Sequence, residues 1–147
     1  MSYILDLCKW CFVVAALVAP SGLAASAGNV PLVSGSYRVV QKTDLGSQTQ
    51  IRMRIHLVNH GTSGLSIERM TLWDFSHPEK GGSQACAVTL PARASADTTQ
   101  EFTIRLTEYE QWQKGLRPRL VLQTPGPGKT KSTTAVRLDR IASKEAK

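Results

Sequence analysis

The sequence predicts an all-β domain, an antiparallel sandwich of about seven short strands with one short helical turn. Apolar and polar side chains alternate along most of the chain, which is typical of strands that are buried on one face. Glycine, proline and asparagine separate the alternating stretches at short intervals and indicate turns. No stretch has a helical pattern long enough to connect neighbouring parallel strands.

The clearest strand is predicted at residues 50–58. There Ile51, Met53, Ile55 and Leu57 occupy one face, and the residues between them are mostly charged. Other strands are predicted at residues 36–42, 65–73, 85–90, 102–106, 119–124 and 133–140.

Two irregular features interrupt this pattern. In the strand at 65–73 the apolar positions change parity, and a β-bulge near Glu68 and Arg69 would return them to one face. Residues 107–115 lack alternation and contain good helix formers. A short helix is predicted there, with Thr107 capping its start and Gly115 ending it.

The N-terminal 27 residues have the layout of a secretory signal. An apolar run at residues 10–18 is followed by a break at Pro20 and by the small-x-small pattern Ala25-Ser26-Ala27. The run is shorter than the about 20 residues that a membrane span needs. We therefore expect cleavage and export to the periplasm or the extracellular space, with no stable membrane span afterwards. The alternative is an uncleaved anchor.

Cleavage would leave a linker (28–34), a single β-sandwich domain (35–142) and a charged tail (143–147). Lys9 and Asp6 are both removed with the signal, so the formal net charge stays at +7. Such a charge attracts anions. In an exported protein this favours a protein or an anionic envelope component as partner, and nucleic acid is not expected.

The strand pattern of residues 36–141 resembles that of immunoglobulin-like and fibronectin-like secreted domains. Trp73 is placed to be the buried tryptophan of such a domain, and Tyr109 to be its tyrosine corner. Cys86 has no second cysteine to pair with after cleavage. The resemblance implies that the strands at 50–58 and 102–106 are neighbours in one sheet, and it implies no particular function.

No motif for catalysis, metal binding or cofactor binding is recognisable, and the sequence therefore predicts a non-enzymatic protein without a cofactor. Residues 127–130 read like the end of a phosphate-binding loop, but Gln123 stands where that motif requires glycine. The alternative is a small metal- or thiol-dependent envelope enzyme. It would use the only imidazole and thiol groups left after cleavage, which are His56, His60, His77 and Cys86.

One pattern suggests a binding surface. Arg52 and Arg54 point outward from one predicted strand and Arg105 from its expected neighbour, so the three would share a basic sheet face that docks an anionic partner. Trp112, in the helical segment, is a further candidate contact if it is exposed. A third hypothesis is an edge strand that pairs with a partner in an envelope assembly. A long edge without proline or lysine would favour it.

Overall fold

A computed structural model describes residues 32–142. The predicted signal peptide, residues 28–31 of the predicted linker and the predicted tail lie outside the described residues. The prediction of an all-β chain with seven strands and one short helix is confirmed. In chain order the elements are β1 Val33–Leu45, β2 Gln48–Asn59, β3 Leu65–Trp73, a 3-10 turn Pro78–Lys80, β4 Gly82–Leu90, β5 Ser95–Arg105, α1 Leu106–Gln113, β6 Arg119–Pro125 and β7 Lys131–Arg140. Strand β1 thus begins inside the stretch predicted to be a linker.

The strands follow the order β4-β3-β6-β7-β1-β2-β5 in one mixed sheet. All neighbours pair antiparallel except β1 and β7, which run parallel over three residue pairs, Gly35 to Tyr37 with Leu138 to Arg140. The expectation of antiparallel pairing throughout is therefore wrong at this junction. Alternation specifies which face of a strand is buried, but not the direction of its neighbour. The parallel pairing supplies hydrogen-bond partners to backbone groups on the second side of β1.

The sheet nearly closes on itself, because its edge strands β4 and β5 approach each other. At Gly82 a Cβ atom would lie 2.8 Å from the carbonyl oxygen of Thr103, so this contact requires glycine. The two strands have no ladder of hydrogen bonds between them among the pairings of residues 32–142. This barrel-like curvature differs from the two clearly separate layers that the sequence led us to expect.

The hydrophobic core lies inside the curved sheet and receives side chains from every strand and from α1. The prediction for β2 is confirmed: Ile51, Met53, Ile55 and Leu57 are each 0% exposed, and Arg52 and Arg54 are on the solvent side. Because side chains alternate along a strand, this burial determines which residues β2 presents outside.

The predicted bulge in β3 is also confirmed. The register between β3 and β4 shifts between Ile67 and Arg69. This shift brings Ile67, Met70 and Leu72 to the buried side although their positions differ in parity.

Helix α1 ends as predicted but begins differently. Arg105, not Thr107, is its N-cap, and no side chain caps the first turn. Leu106 opens the helix and does not continue the strand. At the other end Gly115 has a φ of 102°, its amide donates to Trp112, and the amide of Leu116 donates to Gln111. These bonds form a Schellman motif, which glycine favours. Within residues 32–142 no helix has the length and apolar character needed to cross a membrane.

Candidate functional site

The three arginines predicted to form a basic face lie on neighbouring strands, as expected, but they do not form one group. Strand β2 pairs with β5 in a register that places Arg52 opposite Glu101 and Arg105 opposite Gln48. Arg105 thus lies four residues along β5 from Glu101, the residue opposite Arg52. At the usual rise of a strand, this separation is about 13 Å.

Arg52 is neutralised by its neighbour. Its Nη2 atom lies 3.1 Å from Oε2 of Glu101, and Gln50 donates a second hydrogen bond, of 2.5 Å, to Oε1 of the same carboxylate. Both charged side chains are partly exposed, so the pair contributes little to stability. It does reduce the net charge that this part of the surface offers to a ligand.

Arg105 is held in a largely buried ion pair. Its Nε and Nη2 atoms each donate to a carboxylate oxygen of Asp74 at 2.6 Å. Asp74 is 1% exposed, and its Oδ1 also accepts the backbone amides of Ser76 and His77. The bidentate geometry occupies the guanidinium of Arg105. Arg105 therefore fixes the loop after β3 and is not available for a partner.

Arg54, by contrast, lies directly opposite another arginine. The register of β1 and β2 pairs Arg38 with Arg54, and both side chains are exposed. None of the ion pairs among residues 32–142 includes either of them. Like charges at directly opposed positions repel each other. We call these two residues the β1–β2 arginine pair.

The β1–β2 arginine pair borders a shallow depression of about 290 Å³ that is also lined by His56, Asp97 and Ile141. His56 contacts Asp97 through Nδ1 and Oδ1 at 3.1 Å, so a nearby carboxylate is already engaged. Ile141 is 46% exposed and adds an apolar rim. The depression therefore has an apolar wall beside two guanidinium groups, neither of which has an ion-pair partner among the described residues. This composition suits a ligand that carries an anionic group on a less polar molecule.

Trp112 is 2% exposed, so the exposure on which its candidacy as a surface contact depended is not met. Its ring packs edge-on against Tyr37, with centroids 6.1 Å apart, and lies 5.8 Å from the ring of Tyr109. Its Nε1 atom donates to Oε1 of Glu108 at 3.1 Å. One turn of α1 brings Glu108 and Trp112 onto the same face, and that face closes one end of the core.

The carboxylates of Asp74 and Glu108 are both buried, yet their pKa values move in opposite directions. Burial alone would raise the pKa of Asp74. The hydrogen bonds from Arg105 and from the amides of His77 and Ser76, together with the arginine charge, lower this pKa below its usual range. For Glu108 burial dominates and raises the pKa, with a contribution from the negative charge of Asp74, against the opposing hydrogen bond from Trp112.

Replacing Glu108 with glutamine should increase stability at neutral pH. A carboxyl whose pKa is higher in the folded than in the unfolded state favours folding when protonated, and this benefit is lost as the pH rises from about 4.3 through the folded-state pKa. We expect E108Q to exceed the natural chain in free energy of unfolding at pH 7. The difference should shrink towards pH 4. Urea unfolding across this range tests it, and equal pH profiles would contradict the prediction.

The histidines and the cysteine proposed for an enzyme lie on separate elements. His60 shares a hydrogen bond of 2.7 Å with Ser34, and His77 lies 3.3 Å from Glu79. Cys86 packs against the core from β4, and burial raises the pKa of its thiol. Residues 32–142 contain no cluster of three or more histidine, cysteine or acidic side chains placed to hold a metal ion.

No protein-family model matches the chain, and no curated protein matches it. Several solved structures are similar in part. A protein from Archaeoglobus fulgidus is 12% identical over 68% of this chain and 90% of its own, with a TM-score of 0.37. A Northeast Structural Genomics Consortium target is 9% identical over 72% of this chain and 82% of its own, with a TM-score of 0.40. A candidate lipoprotein from Bacillus subtilis is 16% identical over 70% of this chain and 34% of its own, with a TM-score of 0.35. Similarity at this level carries no argument about function.

Proposed function

We propose that this protein is an exported, non-catalytic binding domain that docks an anionic partner through the β1–β2 arginine pair. The export part of the proposal is supported by the signal-like residues 1–27, and the binding part by the uncompensated arginines. We also propose that this nearly closed sheet is a curved variant of the immunoglobulin-like arrangement.

The observation that carries the proposal is the direct opposition of Arg38 and Arg54 without a carboxylate partner among residues 32–142. An anion between the two guanidinium groups would relieve their repulsion and accept several charge-assisted hydrogen bonds. Arg52 is less suited to this role, because Glu101 already occupies its guanidinium. Acidic proteins and anionic envelope components both present such groups.

Removing the β1–β2 arginine pair should greatly weaken binding to polyanions. We expect the R38Q/R54Q variant to elute from a heparin column at clearly lower salt than the natural domain. The matched control is K80Q/K129Q, which removes the same charge from two exposed positions, one in the 3-10 turn and one in the turn between β6 and β7. Long-range attraction falls equally in both variants, so only a local site predicts a difference between them. Equal elution of the two variants would refute the proposed site.

A single charge reversal should separate binding from stability. R54E places a carboxylate opposite Arg38, and we expect the free energy of unfolding to rise by about 0.2–1 kcal/mol while heparin retention falls. R52E, the control, places like charges at the Arg52–Glu101 position and should lower stability by a similar amount. Chemical denaturation measures both effects. A loss of stability in R54E equal to that in R52E would contradict the repulsion argument.

The edge-strand hypothesis is the second candidate, because one specific observation favours it. Strand β4 lies at the edge of the sheet, and its sequence, GSQACAVTL, contains neither proline nor lysine nor any other charged residue. Its first residue, however, lies against β5 at Thr103. A partner strand would therefore have to enter beside the later residues of β4, and this reduces the edge available for pairing.

A further inference from the structure

We infer that the partner is a linear acidic polysaccharide that follows a track of arginines across four consecutive strands, β6, β7, β1 and β2. This inference rests on the proposed function, because the β1–β2 arginine pair forms one end of the track. It adds a second pair, Arg119 and Arg137, which sequence reasoning had not selected.

Arg119 and Arg137 repeat the arrangement of the first pair. The register of β6 and β7 places them directly opposite each other, and neither takes part in an ion pair among the described residues. On its other side Arg119 faces Trp73 across the β3–β6 pairing, and its guanidinium lies 5.0 Å from the centroid of that ring. This cation–π contact fixes Arg119 without neutralising it. We call these arginines the β6–β7 arginine pair.

The two pairs lie on strands of one continuous sheet. Strands β7 and β1 are hydrogen-bonded neighbours, with Leu138 opposite Gly35. By this register Arg137 is level with Ser34, and Arg38 lies four residues further along β1. The pairs are thus offset by about 13 Å along the strands, and β6 lies about 14 Å from β2 when measured along the curved sheet. Between the pairs Asp139 is held by Arg117 at 3.1 Å, so the intervening carboxylate is already engaged.

One arginine pair is enough to hold a single small anion. Two pairs at this spacing suit a chain that carries repeated negative groups. Among anionic polymers, single-stranded nucleic acid is recognised largely by stacking on exposed aromatic rings. Of the described aromatic side chains, Trp73 is the one in this arginine row, and Arg119 lies over its ring. The sheet that carries this row nearly closes on itself and is therefore curved, which fits a flexible chain better than a flat membrane. Charge and shape therefore favour an acidic polysaccharide.

The test compares heparin fragments of increasing length, namely a disaccharide, a tetrasaccharide and an octasaccharide, by isothermal titration calorimetry with the domain and its variants. We expect the natural domain to bind the octasaccharide more tightly than the disaccharide. R119Q/R137Q and R38Q/R54Q each lose two arginines and should bind the octasaccharide at least about tenfold more weakly, because one charge-assisted contact already accounts for a loss of this size. The disaccharide should bind R119Q/R137Q nearly as well as it binds the natural domain. K80Q/K129Q serves as the charge-matched control, and thermal unfolding confirms that each variant is folded.

The outcomes separate this inference from the proposed function. If R119Q/R137Q binds the octasaccharide like the natural domain and R38Q/R54Q does not, the track is wrong and the β1–β2 site stands. If R38Q/R54Q also binds normally, both proposals are wrong. Affinity that does not grow with fragment length would overturn the track. Tighter binding to single-stranded DNA or to vesicles of anionic phospholipid than to the octasaccharide would overturn the assignment of a polysaccharide.

Discussion

Replacing Asp74 with alanine should lower the free energy of unfolding by about 3–5 kcal/mol, the usual cost of removing one partner from a buried ion pair. The carboxylate is 1% exposed and receives two hydrogen bonds from Arg105 and two from backbone amides. In D74A the arginine would remain largely buried without its counter-charge, and the amides of Ser76 and His77 would lose their acceptor. Guanidinium chloride unfolding at pH 7 measures the effect.

Two further variants identify the source of this loss. D74N keeps an oxygen that can accept the two amides but removes the charge, so its stability should fall between that of D74A and that of the natural chain. E101Q removes the partner of Arg52 at the surface, where we expect a loss of less than about 1 kcal/mol. A D74A variant no less stable than E101Q would show that the buried pair contributes little.

Local pattern was sufficient where a feature depends on neighbouring residues. The alternation of β2, the bulge in β3 and the end of α1 at Gly115 were all predicted, because each follows from residues within a few positions of one another. The same reasoning misplaced the start of α1. Leu106 continues the alternation of β5 in sequence but opens the helix in the structure. At the boundary between a strand and a helix, the sequence fits both the period of a strand and that of a helix. Tertiary contacts then determine where the helix begins.

The functional surface depends on register, which alternation does not specify. Arg38 points outward in the predicted strand at 36–42, so its exposure was predictable, but its position opposite Arg54 requires knowledge of the β1–β2 pairing. The partner of Arg105 is 31 positions away in sequence and on the loop after β3. A basic residue therefore looks the same in sequence whether it is paired or free. The proposed site therefore keeps Arg54 from the sequence prediction, gives up Arg52 and Arg105, and adds Arg38.

Trp112 should prove to be a stability residue and not a binding residue. W112A removes a ring that is 2% exposed and packed against Tyr37 and Tyr109, and we expect it to cost about 3–5 kcal/mol in free energy of unfolding. It also leaves the buried carboxylate of Glu108 without its indole donor. W112F keeps part of the ring packing but loses the same donor, so its loss should be smaller.

Fluorescence and binding together test this role. In a W73F background Trp112 is the sole tryptophan beyond residue 27, so its emission should lie at short wavelength and resist quenching by acrylamide. W112F should retain the heparin affinity of the natural domain, because the β1–β2 arginine pair lies on the outer surface whereas Trp112 closes the core. Trp112 would instead belong to the binding surface if its emission lay at long wavelength and acrylamide quenched it readily, and if a folded W112F variant lost heparin affinity. If W112F keeps its heparin affinity but has a lower free energy of unfolding, Trp112 stabilises the fold, and binding depends on other residues.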